Sequence, residues 1–163
     1  MVVLAGALAW VAADSLEPHI TNVGDKAPNF KIVSDRGRTF TRDDFGGKLL
    51  VLNFWASWCP PCLEETPSLN TLQQAIAAKG GVVLGISVDE DRDAYEKFLG
   101  DNHVVFPTYR DATKKTATDY GTSMFPETYL IDRQGRLARK IVGPQDWQSP
   151  EIMRSIGLLL DQN

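Results

Sequence analysis

Apolar positions along this chain fall into a few blocks with different periods. Residues 48–56, "KLLVLNFWA", are a nearly continuous apolar run preceded by glycines. A run of that length suits a strand buried on both faces of a sheet. Directly after it, from Pro60 to Lys79, Cys62, Leu69, Leu72 and Ile76 recur at helical spacing until Gly80-Gly81 stops the pattern, which predicts a helix. "GVVLGISVD" then predicts a second buried strand, the residues around Ala94–Leu99 a helix, "VVFPTY" a short strand, and Ala112–Tyr120 a helical turn. "ETYLIDRQG" is a further strand, Gly135 turns the chain into "RLARKIVG", and a last helix is predicted over Pro150–Leu160. Upstream, "NFKIVS" and "RTFT" around the turn "DRGR" read as a short hairpin, and Asp43-Asp44 with Gly46-Gly47 as another turn. Strands alternating with helices, closing in a hairpin and a helix, predict an α/β sheet with helices on both faces.

The amino end departs from this pattern. It is apolar from Met1 to Ala13, and the first basic residue is Lys26. Thirteen residues fall short of the roughly 17–25 that a membrane-spanning helix needs. Their composition fits the hydrophobic part of a signal peptide, with Val11-Ala12-Ala13 as a small-residue cleavage site, or the remainder of a membrane anchor; a buried amino-terminal helix is the plain alternative. No cysteine follows the run, so it does not point to a lipoprotein anchor. Residues 14–28 are polar with scattered proline and glycine and read as a linker. The division expected is an amino-terminal segment and linker over 1–23 and one compact domain over 24–163.

Composition adds limits. A chain of 163 residues can bury roughly 68–70% of its unfolded surface, and 43% apolar with 23% charged residues is ordinary for a globular protein. Its core therefore does not need disulfides for stability. The net charge of −4, with no run of lysine or arginine, argues against a nucleic-acid partner, which requires a basic patch. No glycine-rich phosphate loop is present, so neither nucleotide nor flavin is implied, and no cofactor is expected.

The chemistry is concentrated in residues 53–67, "NFWASWCPPCLEETP", which hold both cysteines of the chain. Cys59 falls at the predicted strand-to-helix junction, and Pro60 at the first helical position, where a missing N–H costs nothing. Unpaired amides and the dipole of the helix start favour thiolate over thiol at such a sulfur, and the thiolate is the nucleophile in thiol–disulfide exchange. Cys62, one turn further and on the apolar face, is placed to resolve a mixed disulfide formed at Cys59. Other uses of the pair are weaker. Zinc wants four ligands, and His19 and His103 lie far off in sequence. A purely structural bridge over two residues closes too small a loop to remove much chain entropy.

On these residues the chain resembles the thioredoxin superfamily, in its branch of exported or membrane-tethered thiol–disulfide oxidoreductases of the TlpA, ResA and CcmG type. "NFWASWCPPC" is close to that branch's active-site signature, and "YGTSMFPETYLIDRQGRL" is similar to its second signature. The resemblance runs over about residues 24–160. It implies a thioredoxin fold with an amino-terminal β-hairpin extension and a helix-strand insertion at about Asp91–Thr108. Pro126 matches the cis-proline that lies beside the disulfide and offers backbone to an extended substrate, with Phe125 before it. Trp58, Pro60 and Pro61 match the surface around the first cysteine, and Pro67 the proline that interrupts the helix. Glu65 matches an acidic residue of ResA-like members that can accept the Cys62 proton, the alternative being an ordinary acidic residue in the first turns of a helix. Asn53 stands where thioredoxins proper carry a buried aspartate and cannot titrate. Glu64 reads as a surface charge, and Trp55, Phe106, Tyr120 and Tyr129 as packing.

Glu127 gives "PET", as in CcmG-like members that handle apocytochrome c thiols. Met124 departs from the pattern, which has glycine two residues before the cis-proline. The function implied is an exported thiol–disulfide oxidoreductase acting chiefly as a protein disulfide reductant. Its expected partners are protein thiols or disulfides, apocytochrome c among them, and an upstream membrane dithiol as electron donor. Two other readings remain open on the residues. One is a peroxiredoxin-like peroxidase, against which Ala56 stands where threonine is usual. The other is a thiol protein that handles Cu(I), which soft thiolates can hold.

Overall fold

In the computed structural model, which describes residues 22–33 and 39–162, the elements run in the predicted sequence. They are β1 (Lys31–Val33), β2 (Thr39–Thr41), a 3-10 turn (Arg42–Phe45), β3 (Leu49–Trp55), α1 (Pro60–Ala77), β4 (Gly81–Ser87) and α2 (Arg92–Asp101). β5 (Thr108–Arg110), α3 (Lys115–Asp119), β6 (Glu127–Ile131), β7 (Leu137–Val142) and α4 (Pro150–Leu160) complete them. β1 and β2 pair antiparallel as a separate ribbon, and the other five strands form one mixed sheet in the order β5-β4-β3-β6-β7. β3 is central, parallel to β4 and antiparallel to β6. No helix among the described residues is long and apolar enough to cross a membrane.

All seven residues of β3 are buried, and from Leu49 to Phe54 its apolar side chains alternate between two cores, with Trp55 joining the core of Phe54. Leu49 and Val51 pack with Leu69, Leu72 and Ile76 of α1 and Ile152, Ile156 and Leu160 of α4. Leu50, Leu52 and Phe54 pack on the opposite face with Tyr95 and Phe98 of α2, with Ala117 and Tyr120 at α3, and with Phe30 and Ile32 of the ribbon. The continuous apolar run is thus a strand covered on both sides, as its composition requires. The helices begin at polar caps. The Asp91 side chain accepts from the amides of Asp93 and Ala94, and the Ser149 side chain from Ile152, ahead of Pro150.

Two sequence expectations shift, and the turn expected at Asp43-Asp44 is present. The linker reading of residues 14–28 fails from Gly24 onward: Gly24 donates to the Leu137 carbonyl, Leu137 to Asp25, Ala27 to Gly135, and Lys26 bridges Arg136. β7 is an edge strand whose open backbone groups take a polar partner as readily as an apolar one, so composition did not mark the pairing. The strand expected at "VVFPTY" begins only at Thr108. Pro107 has no N–H to give to a ladder, and it enters the sheet's edge only through its carbonyl, which accepts from Gly85 at 2.9 Å. Asp43-Asp44 form a 3-10 turn in which Asp44 accepts from the amide and hydroxyl of Thr41. The apolar segment at 1–13, its cleavage site and the "DRGR" turn lie outside the described residues.

Gly85 shows how closely β4 is packed. A Cβ there would stand 2.9 Å from the Phe106 ring, and 3.0 Å from both Thr108 Oγ1 and Trp55 Nε1. Gly85→Ala is therefore expected to lower unfolding stability by about 1–3 kcal/mol, as overpacked cores do. Urea denaturation checks it, and an unchanged midpoint would show that β5 moves aside freely.

Candidate active site

The site is built where β3 ends and α1 begins. Cys59 is the N-cap of α1, in extended conformation, with Pro60 and Pro61 opening the helix. Its amide donates to the Ala56 carbonyl at 3.2 Å, closing a tight turn over residues 56–59. Cys59 and Cys62 are joined by a disulfide with their Cα atoms 5.3 Å apart, and the Cys62 amide points at Cys59 Sγ at 3.3 Å. Both sulfurs, and not only that of Cys62 on the apolar face, are enclosed. Cys59 is 5% and Cys62 2% accessible, because the bridge seats both in the main hydrophobic cluster.

Around the bridge the surface is apolar. Trp58 is 63% exposed and meets Phe125 edge-on at 5.9 Å. Phe125 is half-buried and joined to Pro126 by a cis peptide bond. Met124, the departure from the family pattern, is also exposed, as is Pro60, while Pro61 is half-buried and Pro126 buried. The Pro126 carbonyl accepts from Gly143 and is spent inside the fold. Residues 60, 61, 125 and 126, 64 or more positions apart in the chain, thus converge on the face where Trp58 lies.

Glu65 lies three residues after Cys62, on the same buried stripe of α1. It is 3% exposed, so the side chain is enclosed. Asn53 Nδ2 donates to one carboxyl oxygen at 2.8 Å and also to Thr128 Oγ1 at 2.9 Å. The Gln145 amide and Trp147 Nε1 donate to the other oxygen at 3.1 and 3.2 Å. Loss of hydration raises the Glu65 pKa to about 7, against the three donors, which favour the charged form. A cleft of about 380 Å³ lined by Pro67, Ser68, Pro144 and Asp146 reaches this side chain. The sequence reading had Glu65 and Asn53 but assigned nothing to Gln145 and Trp147, some eighty residues away with no motif to mark them. The position of Glu65 between Cys62 and Leu69 on the apolar stripe was the legible sign of its burial.

Two further buried carboxyl groups flank the site. Glu127, 2% exposed, pairs with Lys140 Nζ, and the Tyr129 hydroxyl lies 2.8 Å from its Oε1. It is held beneath the cis-proline loop and does not face outward. Asp89, 1% exposed, contacts the amide and hydroxyl of Ser57 and the hydroxyl of Ser87. The sequence reading attached no role to Asp89. Among the described residues no group of three or more His, Cys, Asp or Glu side chains is arranged for a metal ion.

A five-stranded mixed sheet with a Cys-Pro-Pro-Cys bridge at a helix start and a cis-proline loop defines a thioredoxin-fold dithiol–disulfide oxidoreductase. Residues 23–140 match the AhpC/TSA family. ResA thiol–disulfide oxidoreductase of Bacillus anthracis is 30% identical over 147 residues, 89% of this chain and 85% of the relative. That of Geobacillus thermodenitrificans is 35% identical over 121 residues, 74% and 70% of the two chains. A solved structure from Chlorobium tepidum described as thiol:disulfide interchange protein DsbE superposes with a TM-score of 0.80 at 31% identity, covering 86% of this chain and 99% of that one. The chain belongs to the AhpC/TSA family, with the thiol–disulfide oxidoreductases of the thioredoxin superfamily, and protein thiols or disulfides are its substrate class.

The raised pKa of Glu65 has a consequence for stability. The folded chain holds this proton more tightly than the unfolded one, so its contribution is fully present below about pH 4.5 and is lost as pH rises through about 7. Comparing urea unfolding of wild type and Glu65→Gln, the wild-type advantage should shrink by about 3 kcal/mol between pH 4.5 and pH 8. A difference that stays flat with pH would mean that Glu65 titrates as in an open chain.

Proposed function

We propose that this protein is an extracytoplasmic disulfide reductant in which Cys59 attacks, Cys62 resolves and Glu65 relays the proton. The observation that carries the reading is the carboxyl group of Glu65, enclosed on the helical face of Cys62 with a pKa of about 7. In the reduced protein, the Cys59 thiolate attacks one sulfur of a substrate disulfide and expels the other as thiolate. A mixed disulfide results. Glu65 accepts the Cys62 proton, and the Cys62 thiolate attacks Cys59 Sγ, releasing the second substrate thiolate. Both substrate thiolates take up protons, one returned from Glu65 through the cleft beside it and one from solvent, which had taken up the Cys59 proton. The sum is two electrons and one proton moved from the enzyme to the substrate, with the second proton from solvent. A base with a pKa near the working pH is matched to that transfer. The exposed Trp58 and Met124 side chains, with the half-buried Phe125 against Trp58, receive the polypeptide around the reacting cysteine, with Pro60, Pro61 and Pro126 shaping the surface.

The apolar residues 1–13 support export or anchoring, and the "PET" sequence at Pro126–Thr128 supports apocytochrome c thiols as a substrate and a membrane dithiol protein as the electron donor. The buried position of Glu127 means that it acts on such a substrate through the loop above it.

Cys59→Ala is expected to abolish reduction of insulin disulfides, and Cys62→Ala to accumulate mixed disulfides with substrate; intact turnover in the Cys59 variant would end this reading. The Cys59–Cys62 couple, equilibrated in defined dithiol buffers and followed by tryptophan fluorescence, should lie near the thioredoxin value of about −270 mV or below it. A value near about −120 mV would make the protein an oxidant instead.

A further inference from the structure

We propose that Asp89 is a positioning residue for Cys59: it holds the turn that carries the sulfur, and its charge keeps the Cys59 thiol less acidic and the pair more reducing. The inference rests on the reading of Cys59 as the attacking group.

Asp89 closes the loop after β4, and every hydrogen bond its carboxyl group makes is to a donor. The Ser57 amide straddles both oxygens at 2.9 and 3.1 Å, the Ser57 hydroxyl lies at 2.7 Å and the Ser87 hydroxyl at 2.6 Å. A carboxylate can accept from all three donors at once. Val88 adds a backbone bond to the Trp55 carbonyl at 2.9 Å, so the end of β4 is stitched to the end of β3 on both sides of Ala56. Cys59 follows Ser57 by two residues, at most about 7 Å of backbone. The carboxylate therefore sits beside the start of α1, where the helix dipole favours negative charge on the cysteine sulfur. A like charge there works against the thiolate.

The nearest cation offsets that charge only in part: Arg110 of β5 donates from one guanidinium nitrogen to the carbonyls of Asp89 and Glu90, at 3.4 and 3.1 Å, and makes no bond to the Asp89 carboxyl group. Glu90 pairs with Lys114, and Lys97, which shares a groove with Ser57, pairs with Asp101. Glu65 reaches the other way, toward β6 and Trp147, so one buried carboxyl group serves each cysteine. Asp89 acts on the attacking sulfur and Glu65 on the resolving one.

Charge and scaffolding separate in two variants. In Asp89→Asn the carboxamide can accept from the Ser57 amide and donate to a serine hydroxyl, so the turn is kept while the charge goes. Ser57→Ala keeps the carboxylate and strips one donor from it, leaving its charge less offset. The thiol pKa of Cys59 is read from the pH dependence of iodoacetamide alkylation in a Cys62→Ala background, and the potential in the two-cysteine protein. Asp89→Asn is expected to lower the Cys59 pKa by about half to one unit and move the couple to a more oxidising value. Ser57→Ala is expected to move the pKa upward. An unchanged pKa and potential in a folded Asp89→Asn protein overturns the proposal. So, on its own, does a Ser57→Ala shift that is absent or downward. Failure of the underlying reading looks different, since wild-type protein would then not exchange with disulfides at all.

Discussion

The junction of β3 with α1 is the constraint on which the rest of the structure depends. A seven-residue strand buried on both faces ends at Trp55, and within five residues the chain must begin an eighteen-residue helix that packs back on one of those faces. A helix start leaves amide groups without partners. Here the cap is a cysteine, whose sulfur accepts from the Cys62 amide, in place of the oxygen of serine or aspartate. The same geometry that completes the helix therefore presents a sulfur to its positive end. The reactive group is part of the solution to a folding requirement.

Everything near that junction serves to fix it. Asn53 on β3 spans to Thr128 on β6 and to Glu65 on α1, so the two strands and the helix share one polar contact in an otherwise apolar region. The loop before α4 is tied to the same carboxyl group through Gln145 and Trp147, and Ser68 fastens it again by accepting from the Trp147 amide. On the other flank Asp89 ties the end of β4 to Ser57. Burial raises the proton affinity of Glu65 despite its three donors, and the Asp89 carboxyl group accepts from Ser57 and Ser87. Two buried carboxyl groups thus tie together the segments on either flank of the junction.

Much of this was legible in the chain. The continuous apolar run, the helical recurrence from Cys62 to Ile76, the glycine stops and the paired cysteines each follow from local rules, since strand and helix periods and capping preferences act over a few residues. The pairing of Gly24–Ala27 with β7 was not legible, because an edge strand accepts almost any backbone. Nor were Gln145, Trp147 and Asp89 as neighbours of the active site: their sequence distances to the residues they touch, 80, 82 and 32, are bridged only when the sheet closes.

By itself, then, the sequence determined the α/β order, the place of the cysteine pair at a strand-to-helix turn, and the thiol chemistry such a pair can perform. The tertiary structure decided which groups surround that pair. Proton affinity depends on desolvation and on the donors and charges within a few ångströms, and both are properties of how distant segments pack. Glu65 at position 65 is a helix residue like its neighbour Glu64; enclosed by Asn53, Gln145 and Trp147, it becomes a group that exchanges a proton near neutral pH.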